Sequence, residues 1–290
     1  MKYHILYNPA AGCGKGKEES QFLDALYDGE ICRRDIREIK DYAEFLSPLG
    51  ENDTIILCGG DGTINRFVNA TDGIEIKCEI LYYAIGTGND FLRDIGKTTE
   101  CNPFSIKKYI NDLPTVEING KTYRFLNNVG FGIDGYCCEV GDKLKKTSDK
   151  PVNYTSIAIK GLLFHYKPTA ATVTIDGEQF RYEKVWIAPT MKGRYYGGGM
   201  MPTPAQDRTD PSGYLSLMIM HGSGKLKTLM VFPSLFKGEH IKHSDMVAIH
   251  TGQEISVTFD RPAAVQIDGE TILGVTSYRA CAKMPMTVIQ

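Results

Sequence analysis

The stretch Asp53-Thr54-Ile55-Ile56-Leu57-Cys58-Gly59-Gly60-Asp61-Gly62-Thr63-Ile64-Asn65-Arg66-Phe67-Val68 decides the reading of this chain. Its first six residues hold an apolar run, Ile55-Ile56-Leu57, without alternation, which suits a parallel strand buried on both faces. Its last five put Ile64, Phe67 and Val68 at helical spacing. Between the two lie Gly59, Gly60 and Gly62 around Asp61. Glycine allows close backbone approach and positive φ. A loop that opens a helix aims its N–H groups at an anion. The stretch therefore reads as strand, anion-binding loop and helix, or, without a ligand, as a tight strand-to-helix turn.

The same order recurs on either side. Upstream, residues 2–7 are a short apolar run ending in Asn8-Pro9-Ala10-Ala11-Gly12-Cys13-Gly14-Lys15-Gly16. A helical pattern follows, with Phe22, Leu23, Leu26 and Tyr27 on one face. An extended stretch at 35–39 leads to a second helix at 43–49. Downstream, residues 79–85 read as a strand ending in Gly86-Thr87-Gly88-Asn89-Asp90, and Phe91-Leu92 opens a helix. This alternation predicts an open parallel α/β sheet with right-handed crossovers. The strand C-termini then share one edge, where the three glycine loops converge.

After about Thr115 the rhythm changes. Short β-like runs appear at 116–118, 123–127, 171–175, 179–183, 184–188, 215–220, 246–250, 254–259 and 264–267. Asn119-Gly120, Asp176-Gly177 and Thr251-Gly252 punctuate them. Helical stretches interrupt at 154–165 and 225–232. An antiparallel sandwich or barrel follows. The fold class is thus α/β plus β-rich: an N-terminal open parallel α/β nucleotide-binding domain over 1–115 and a C-terminal β-sandwich-like domain over 116–284. The polar segment 141–150 reads as a mobile loop or a solvated surface.

Composition excludes several classes. The 290 residues suffice for one large or two medium domains, and 42% hydrophobic with 23% charged residues is not a disordered composition. Lysine and arginine total 33 against 35 acidic residues, which disfavours a broadly basic nucleic-acid binder. No apolar run approaches the ~20 residues of a membrane span. The run after Met1-Lys2 is too short for a signal peptide. Eight cysteines without a Cys-x-x-Cys pair read as small buried thiols of a reducing compartment. The expected location is cytoplasmic. His240-Ile241-Lys242-His243 lacks the third ligand a zinc site needs and reads as surface. Trp186 reads as core.

The site class follows by spacing. Neither Gly-x-x-x-x-Gly-Lys-Ser/Thr nor Gly-x-Gly-x-x-Gly is present around Gly12, Gly14 and Gly16. Instead, two loops carry aspartates, Asp61 and Asp90. A carboxylate beside a polyphosphate is repelled unless a Mg²⁺ ion lies between them. The alternative is that both simply cap helices.

At this point the residues carry a resemblance. The segment Gly59-Gly60-Asp61-Gly62-Thr63-Ile64-Asn65 resembles the nucleotide-binding signature of the diacylglycerol kinase catalytic-domain family, which includes bacterial lipid kinases, sphingosine kinases and ceramide kinases. Asn8-Pro9-Ala10-Ala11-Gly12 and Gly86-Thr87-Gly88-Asn89-Asp90-Phe91 resemble two further motifs. So do Asn128-Val129-Gly130-Phe131-Gly132-Ile133-Asp134, Tyr196-Gly197-Gly198-Gly199 and Gln266-Ile267-Asp268-Gly269-Glu270. The order is the family's, and the resemblance spans essentially the whole chain. Gly-Gly-Asp-Gly-Thr alone is shared with NAD kinases and related phosphofructokinases.

The resemblance implies an ATP- and Mg²⁺-dependent lipid kinase. In it Asn8, Pro9, Ala10, Ala11, Gly12, Gly59, Gly60, Asp61, Gly62, Thr63, Ile64, Asn65, Thr87 and Asn89 line ATP. Asp61, Asp90 and Glu117, which stands where the family has aspartate, belong to the Mg²⁺–water network. Glu270 takes the acceptor proton and Asp268 is its partner. Asp176-Gly177-Glu178, an identical triplet, reads as a hairpin turn; only Gln266 singles out the second copy. The family's threonine after the second strand has no counterpart near Ile39-Lys40-Asp41. Its Mg²⁺ loop in domain two corresponds to Asp207-Arg208-Thr209-Asp210-Pro211-Ser212-Gly213-Tyr214-Leu215, where Ser212 replaces aspartate, so a weak or empty site is expected. The chain end, 285–290, is expected to complete the first domain.

A lipid substrate and no membrane span require peripheral docking at the inner face of the membrane. Ile157, Ile159, Leu162, Leu163 and Phe164, with Lys160 and Lys167, are the lipid-contact candidates; the same spacing also suits a buried helix. The expected partners are the lipid substrate and ATP, and a homo-oligomer is left open. Two alternatives stand beside the lipid kinase: a soluble NAD kinase-like enzyme, and a catalytically idle nucleotide-binding regulatory protein. The acceptor's identity is not legible, since diacylglycerol, a sphingoid base, ceramide, monoacylglycerol and a polyprenol all offer a hydroxyl.

Overall fold

The computed structural model describes residues 1–86, 89–147 and 152–282. It divides into two units, Met1–Asp112 and Leu113–Gln290. The first runs β1 (Lys2–Tyr7), the short turns α1 (Ala11–Gly14) and α2 (Gly16–Ser20), β2 (Glu30–Asp35), α3 (Tyr42–Leu46), β3 (Asp53–Gly59), α4 (Asp61–Ala70), β4 (Glu79–Ala84), α5 (Asp90–Asp94), β5 (Phe104–Ser105) and α6 (Lys107–Ile110). Its sheet has the order β2-β1-β3-β4-β5 and is parallel except for β5. Ile55, Ile56, Leu57 and Cys58 of the central strand are wholly buried, which is why they form an unbroken apolar run. The registers Tyr7–Cys58 and Gly59–Ala84 bring the ends of β1, β3 and β4 to one edge. The expected amphipathic helix through Phe22 and Leu26 is instead α2 followed by a 3-10 turn, Gln21–Ala25. Leu23 is wholly buried and half-buried Tyr27 packs against the same core; Phe22 and Leu26 are exposed.

The second unit runs β6 (Thr115–Ile118), β7 (Lys121–Arg124), β8 (Asn128–Gly132), α7 (Ile133–Thr147), α8 (Tyr154–Lys160), β9 (Thr169–Ile175), β10 (Glu178–Val185), β11 (Ile187–Met191), β12 (Leu215–Met220), α9 (Lys225–Val231), β13 (Val247–Gly252), β14 (Glu254–Ile267) and β15 (Glu270–Cys281). These strands form an antiparallel ladder, β13-β12-β11-β8-β14-β15-β6-β7, with β9 joined to β14 and β10 to β9. The branch at β14 has a local cause. Its register shifts between Thr258 and Ala263, so 255–259 pair with β9 while 265–267 pair with β8. Such a bulge bends a strand between two pairings. Phe131, Phe259, Val265 and Tyr278 fill the core between them.

Several expectations change. The glycine-rich segment 128–132, absent from the predicted strands, is a wholly buried strand, because β11 and β14 pair with it on both sides. Residues 141–147 end α7 instead of forming a mobile loop; their charges are a helix's solvent face, with Lys143 paired to Glu139. Residues 148–150 and the chain end, 283–290, lie outside the described residues. His240 is wholly buried, its Nε2 donating to the Pro202 carbonyl at 2.8 Å. Of the lipid-contact candidates, Ile157 and Leu162 are core, whereas Ile159 and Phe164 are exposed. Among the described residues no helix is long and apolar enough to cross a membrane.

Candidate active site

The three glycine loops of the first unit lean on one another. Asn8, just past β1, donates through Nδ2 to Thr63 Oγ1 at 3.1 Å and accepts the Ala10 N–H at 3.0 Å. A Cβ on Gly59 would lie 2.1 Å from that same Thr63 hydroxyl. After Pro9 and Ala10, α1 begins at Ala11, and Gly12 takes φ +58°. A Cβ on Gly12 would meet Glu19 Oε1 at 2.7 Å, and one on Gly86 would meet the Gly12 nitrogen at 3.2 Å. The first and third loops thus approach backbone to backbone, as glycine permits. Gly60 precedes α4 with no side-chain cap, and Asp61 and Gly62 form the first turn. That helix end carries partial positive charge suited to an anion.

Asp61 Oδ2 accepts the Phe91 N–H at 3.1 Å. This bond ties the start of α4 to the start of α5 and sets Asp61 next to buried Asp90. Tyr82 was not among the candidates, yet it organises the loops. Its hydroxyl lies 2.8 Å from the Gly59 carbonyl and 3.0 Å from Asn89 Oδ1, while Asn89 Nδ2 donates to the Gly86 carbonyl at 2.8 Å. Burial, and then the Asp61 charge, hold the phenol well above its usual range, so it stays a neutral donor. The available signal was a tyrosine in a buried strand, whose polar tip needs a partner. Ile64 is wholly buried and Asn65 nearly so, beneath the loop. Thr87 lies outside the described residues. Mg²⁺ carried on a nucleotide asks for one or two protein carboxylates, with phosphate and water oxygens completing its shell. Asp61 and Asp90, on adjoining helix N-termini, fit that demand.

In the second unit both Asp-Gly-Glu copies are two-residue hairpin turns. Asp268 and Gly269 have φ +47° and +92°, with Ile267 paired to Glu270; Asp176 and Gly177 have φ +48° and +90°, with Ile175 paired to Glu178. Each aspartate clamps a neighbouring strand. Asp268 accepts the N–H groups of Leu126, Asn127 and Asn128 at 2.5, 2.7 and 3.0 Å. Asp176 accepts those of Gln253 and Glu254 at 2.9 and 2.8 Å. What distinguishes the second copy lies behind it. Buried Gln266 accepts the Gly269 N–H at 2.9 Å and donates to Asp134 Oδ2 at 3.4 Å. In the first copy Thr174 stands in that place. Glu270 is exposed, so it is the carboxylate the second turn leaves toward solvent.

Asp134 itself appeared in the sequence only as the end of a glycine run. Burial pushes its carboxyl up to about 7, against the opposing pull of the Gly135 N–H at 2.9 Å and of Gln266. A Cβ on Gly130 would lie 2.6 Å from Asp134 Oδ2 and 3.0 Å from the Pro189 Cα. Replacing Gly130 with alanine is therefore expected to destabilise the fold by about 1–3 kcal/mol, as overpacking does. A denaturation midpoint equal to wild type would show the slot to be slack. A second expectation concerns pH. The folded carboxyl keeps a proton that the unfolded chain, with its ordinary value of 3.8, has released. Stability contributed by Asp134 is then full below about pH 4 and lost by about pH 7. Melting temperatures of wild type and Asp134→Asn should diverge across that window, the wild type falling. Parallel curves would remove Asp134 as the titrating group.

Glu117 sits on β6 of the second unit, exposed, 3.9 Å from Arg279, which also reaches Glu254 at 3.1 Å. The loop after Gln206 has spent its carboxylates locally. Asp207 Oδ1 accepts the Thr209 N–H and hydroxyl at 2.8 and 2.7 Å, and Asp210 accepts the Ser212 N–H at 2.8 Å. The Thr209 and Ser212 bonds hold both acids below the usual carboxylate range. Gln253 Nε2 donates to the Ser212 carbonyl at 3.0 Å. Among the described residues no group of three or more His, Cys, Asp or Glu is disposed to hold a metal ion.

A parallel sheet with glycine-opened helices, followed by a large antiparallel ladder, defines a two-unit α/β plus β class. Residues 2–115 match the diacylglycerol kinase catalytic domain, and residues 127–289 match the YegS C-terminal NAD kinase beta sandwich-like domain. The chain belongs to the family defined by the YegS C-terminal NAD kinase beta sandwich-like domain, preceded by a region that matches the diacylglycerol kinase catalytic domain. It is 26% identical over 279 residues to the diacylglycerol kinase of Bacillus subtilis (strain 168), covering 92% of this chain and 88% of that one. It is 26% identical over 198 residues to the diacylglycerol kinase of Mycobacterium tuberculosis (strain ATCC 25618 / H37Rv); this match takes in 66% of the chain and 62% of that relative's length. The fold is similar to the crystal structure of a diacylglycerol kinase from Bacillus anthracis str. Sterne, with a TM-score of 0.60 at 19% identity over 97% of this chain and 94% of that one.

Proposed function

We propose that the protein is an ATP- and Mg²⁺-dependent lipid kinase that moves the γ-phosphoryl group to a hydroxyl of diacylglycerol or a related lipid. One observation carries the reading: the first unit holds a glycine-built anion cradle with Asp61 bound to the Phe91 amide beside Asp90. The relative of Bacillus subtilis named diacylglycerol kinase supports a lipid acceptor.

When bound, Mg²⁺ neutralises charge on the β- and γ-phosphate oxygens. Gly12, Gly59, Gly60 and Gly62 let the main chain come close to the phosphates, and the α4 N-terminus offsets their charge. Asn8 and Thr63 hold the first two loops at a fixed spacing. Glu270 accepts the acceptor's hydroxyl proton as that oxygen bonds to the γ-phosphorus. The bond to the bridging oxygen breaks and ADP departs with its electron pair. Asp268 is a positioning residue in this scheme: its carboxylate is held by three amides and shapes the turn that presents Glu270. Gln266 braces the turn from behind.

Labelled ATP offered with a panel of lipids in mixed micelles, and with NAD, tests this. Label should enter a glycerolipid, and chelation of Mg²⁺ should stop it. Label in NAD but in no lipid, or ATP binding without turnover, would overturn the reading.

A further inference from the structure

Helix α7 lies along the β14–β15 hairpin whose turn presents Glu270. A Cβ on Gly135, in the first turn of the helix, would stand 2.1 Å from the Ala264 carbonyl oxygen, so only glycine lets α7 approach β14 this closely. Two aspartates of the same helix then reach the hairpin, one for each strand. Asp134 Oδ2 accepts from Gln266 on β14 at 3.4 Å, and Asp142 Oδ2 accepts the Thr271 hydroxyl on β15 at 2.8 Å. Gln266 and Thr271 are register partners, and Ile267 with Glu270 form the next rung, which closes the turn. Cross-strand partners share one face of a sheet. Both bonds therefore act on the rung immediately behind Glu270.

The bond on the β15 side has its own support. Lys145 Nζ lies 3.5 Å from Asp142 Oδ1, one helical turn on, and leaves Oδ2 to Thr271. Cys138 stands on α7 between the two aspartates and registers how near the carboxylates are. Burial, then the charges of Asp134 and Asp142 and, after the opposing charge of Lys145, that of Glu270 set its thiol at about 12. The other Asp-Gly-Glu turn is built differently: its matching rung is Thr174 with Gln179, and Gln179 is exposed.

We infer that α7 is the positioning element for Glu270: the Asp142–Thr271 bond fixes the strand that carries this carboxylate, as the Asp134–Gln266 bond fixes the strand before it. Asp142 and Thr271 are positioning residues and touch no reacting atom. The inference deepens the lipid-kinase reading and rests on it for its consequence, since Glu270 is the proton acceptor there. Thr271→Val tests it, because valine keeps threonine's shape and strand preference and lacks only the hydroxyl. Asp142→Ala breaks the same bond from the helix. Each is read in two ways. Without turnover, hydrogen exchange of the full chain should quicken by about 2–10-fold over 266–273, the scale of one ordinary hydrogen bond, and stay unchanged over 174–181. With turnover, kcat should fall by on the order of 10–100-fold, as misplacement of a reacting group does, with the KM for ATP unchanged. Thr271→Ser, which restores the hydroxyl, should recover both. In a Glu270→Gln background Thr271→Val should add no further loss, because the group it positions is already gone. Unchanged exchange in both variants overturns the inference. So does faster exchange with a wild-type rate, or a full further loss in the Glu270→Gln background. A wild type that phosphorylates no lipid, while both variants loosen 266–273 alone, upholds the clamp and overturns the kinase reading alone.

Discussion

Asp61→Asn should lose on the order of 10²–10³ in kcat while keeping its fold, the scale seen when one preorganised electrostatic group is removed from a reacting centre. Asparagine keeps an oxygen that can accept the Phe91 N–H, now 3.1 Å from Asp61 Oδ2, so α4 and α5 stay joined. What disappears is the negative charge that a hard divalent cation needs. The loss should come with a raised Mg²⁺ requirement. Asp61→Ala should lose at least as much, and some stability too, because the Phe91 amide then has no carboxylate. Gly60→Val, which sets a branched side chain where backbone and phosphate meet, should weaken ATP binding with little change in melting temperature. Wild-type turnover by Asp61→Asn at ordinary Mg²⁺ would sink the metal role.

Glu270 and Asp268 should separate cleanly. Glu270→Gln removes an exposed base and should lower kcat by on the order of 10²–10⁴ without lowering stability. Asp268→Asn withdraws a charged acceptor from the amides of Leu126, Asn127 and Asn128. Charge-assisted bonds to buried amides are the strong ones, so about 2 kcal/mol or more of stability should go with it. Its rate should fall through misplacement of Glu270. The control is Asp176→Asn with Glu178→Gln. That pair should also lose stability, because Asp176 clamps Gln253 and Glu254, yet turn over at a near-normal rate. An equal kcat loss in the control, with the protein folded, would mean that the wrong copy has been assigned.

Local signals were enough for the first unit. A strand buried on both faces, a glycine loop and a helix stripe each declare themselves within a few residues, so β3 and α4 were legible in one stretch. β8 was not, since a glycine-rich buried strand has no local β signature and exists because β11 and β14 pair with it. Tyr82 and Asp134 were missed for a related reason: nothing beside them in sequence announces a loop to brace or a slot to fill.

The sequence by itself determined the parallel α/β unit, the convergence of three glycine loops and the presence of Asp61 and Asp90 among them. All of that follows from backbone sterics and side-chain spacing over a few residues. Only the tertiary structure decided which carboxylates are free to act. Two identical Asp-Gly-Glu turns differ because Gln266 reaches Asp134 across 132 residues of chain. Asp268, in turn, spends its charge on amides some 140 positions away. A carboxylate's availability depends on the hydrogen-bond donors around it in space, and those are set by strand register rather than by its neighbours in sequence.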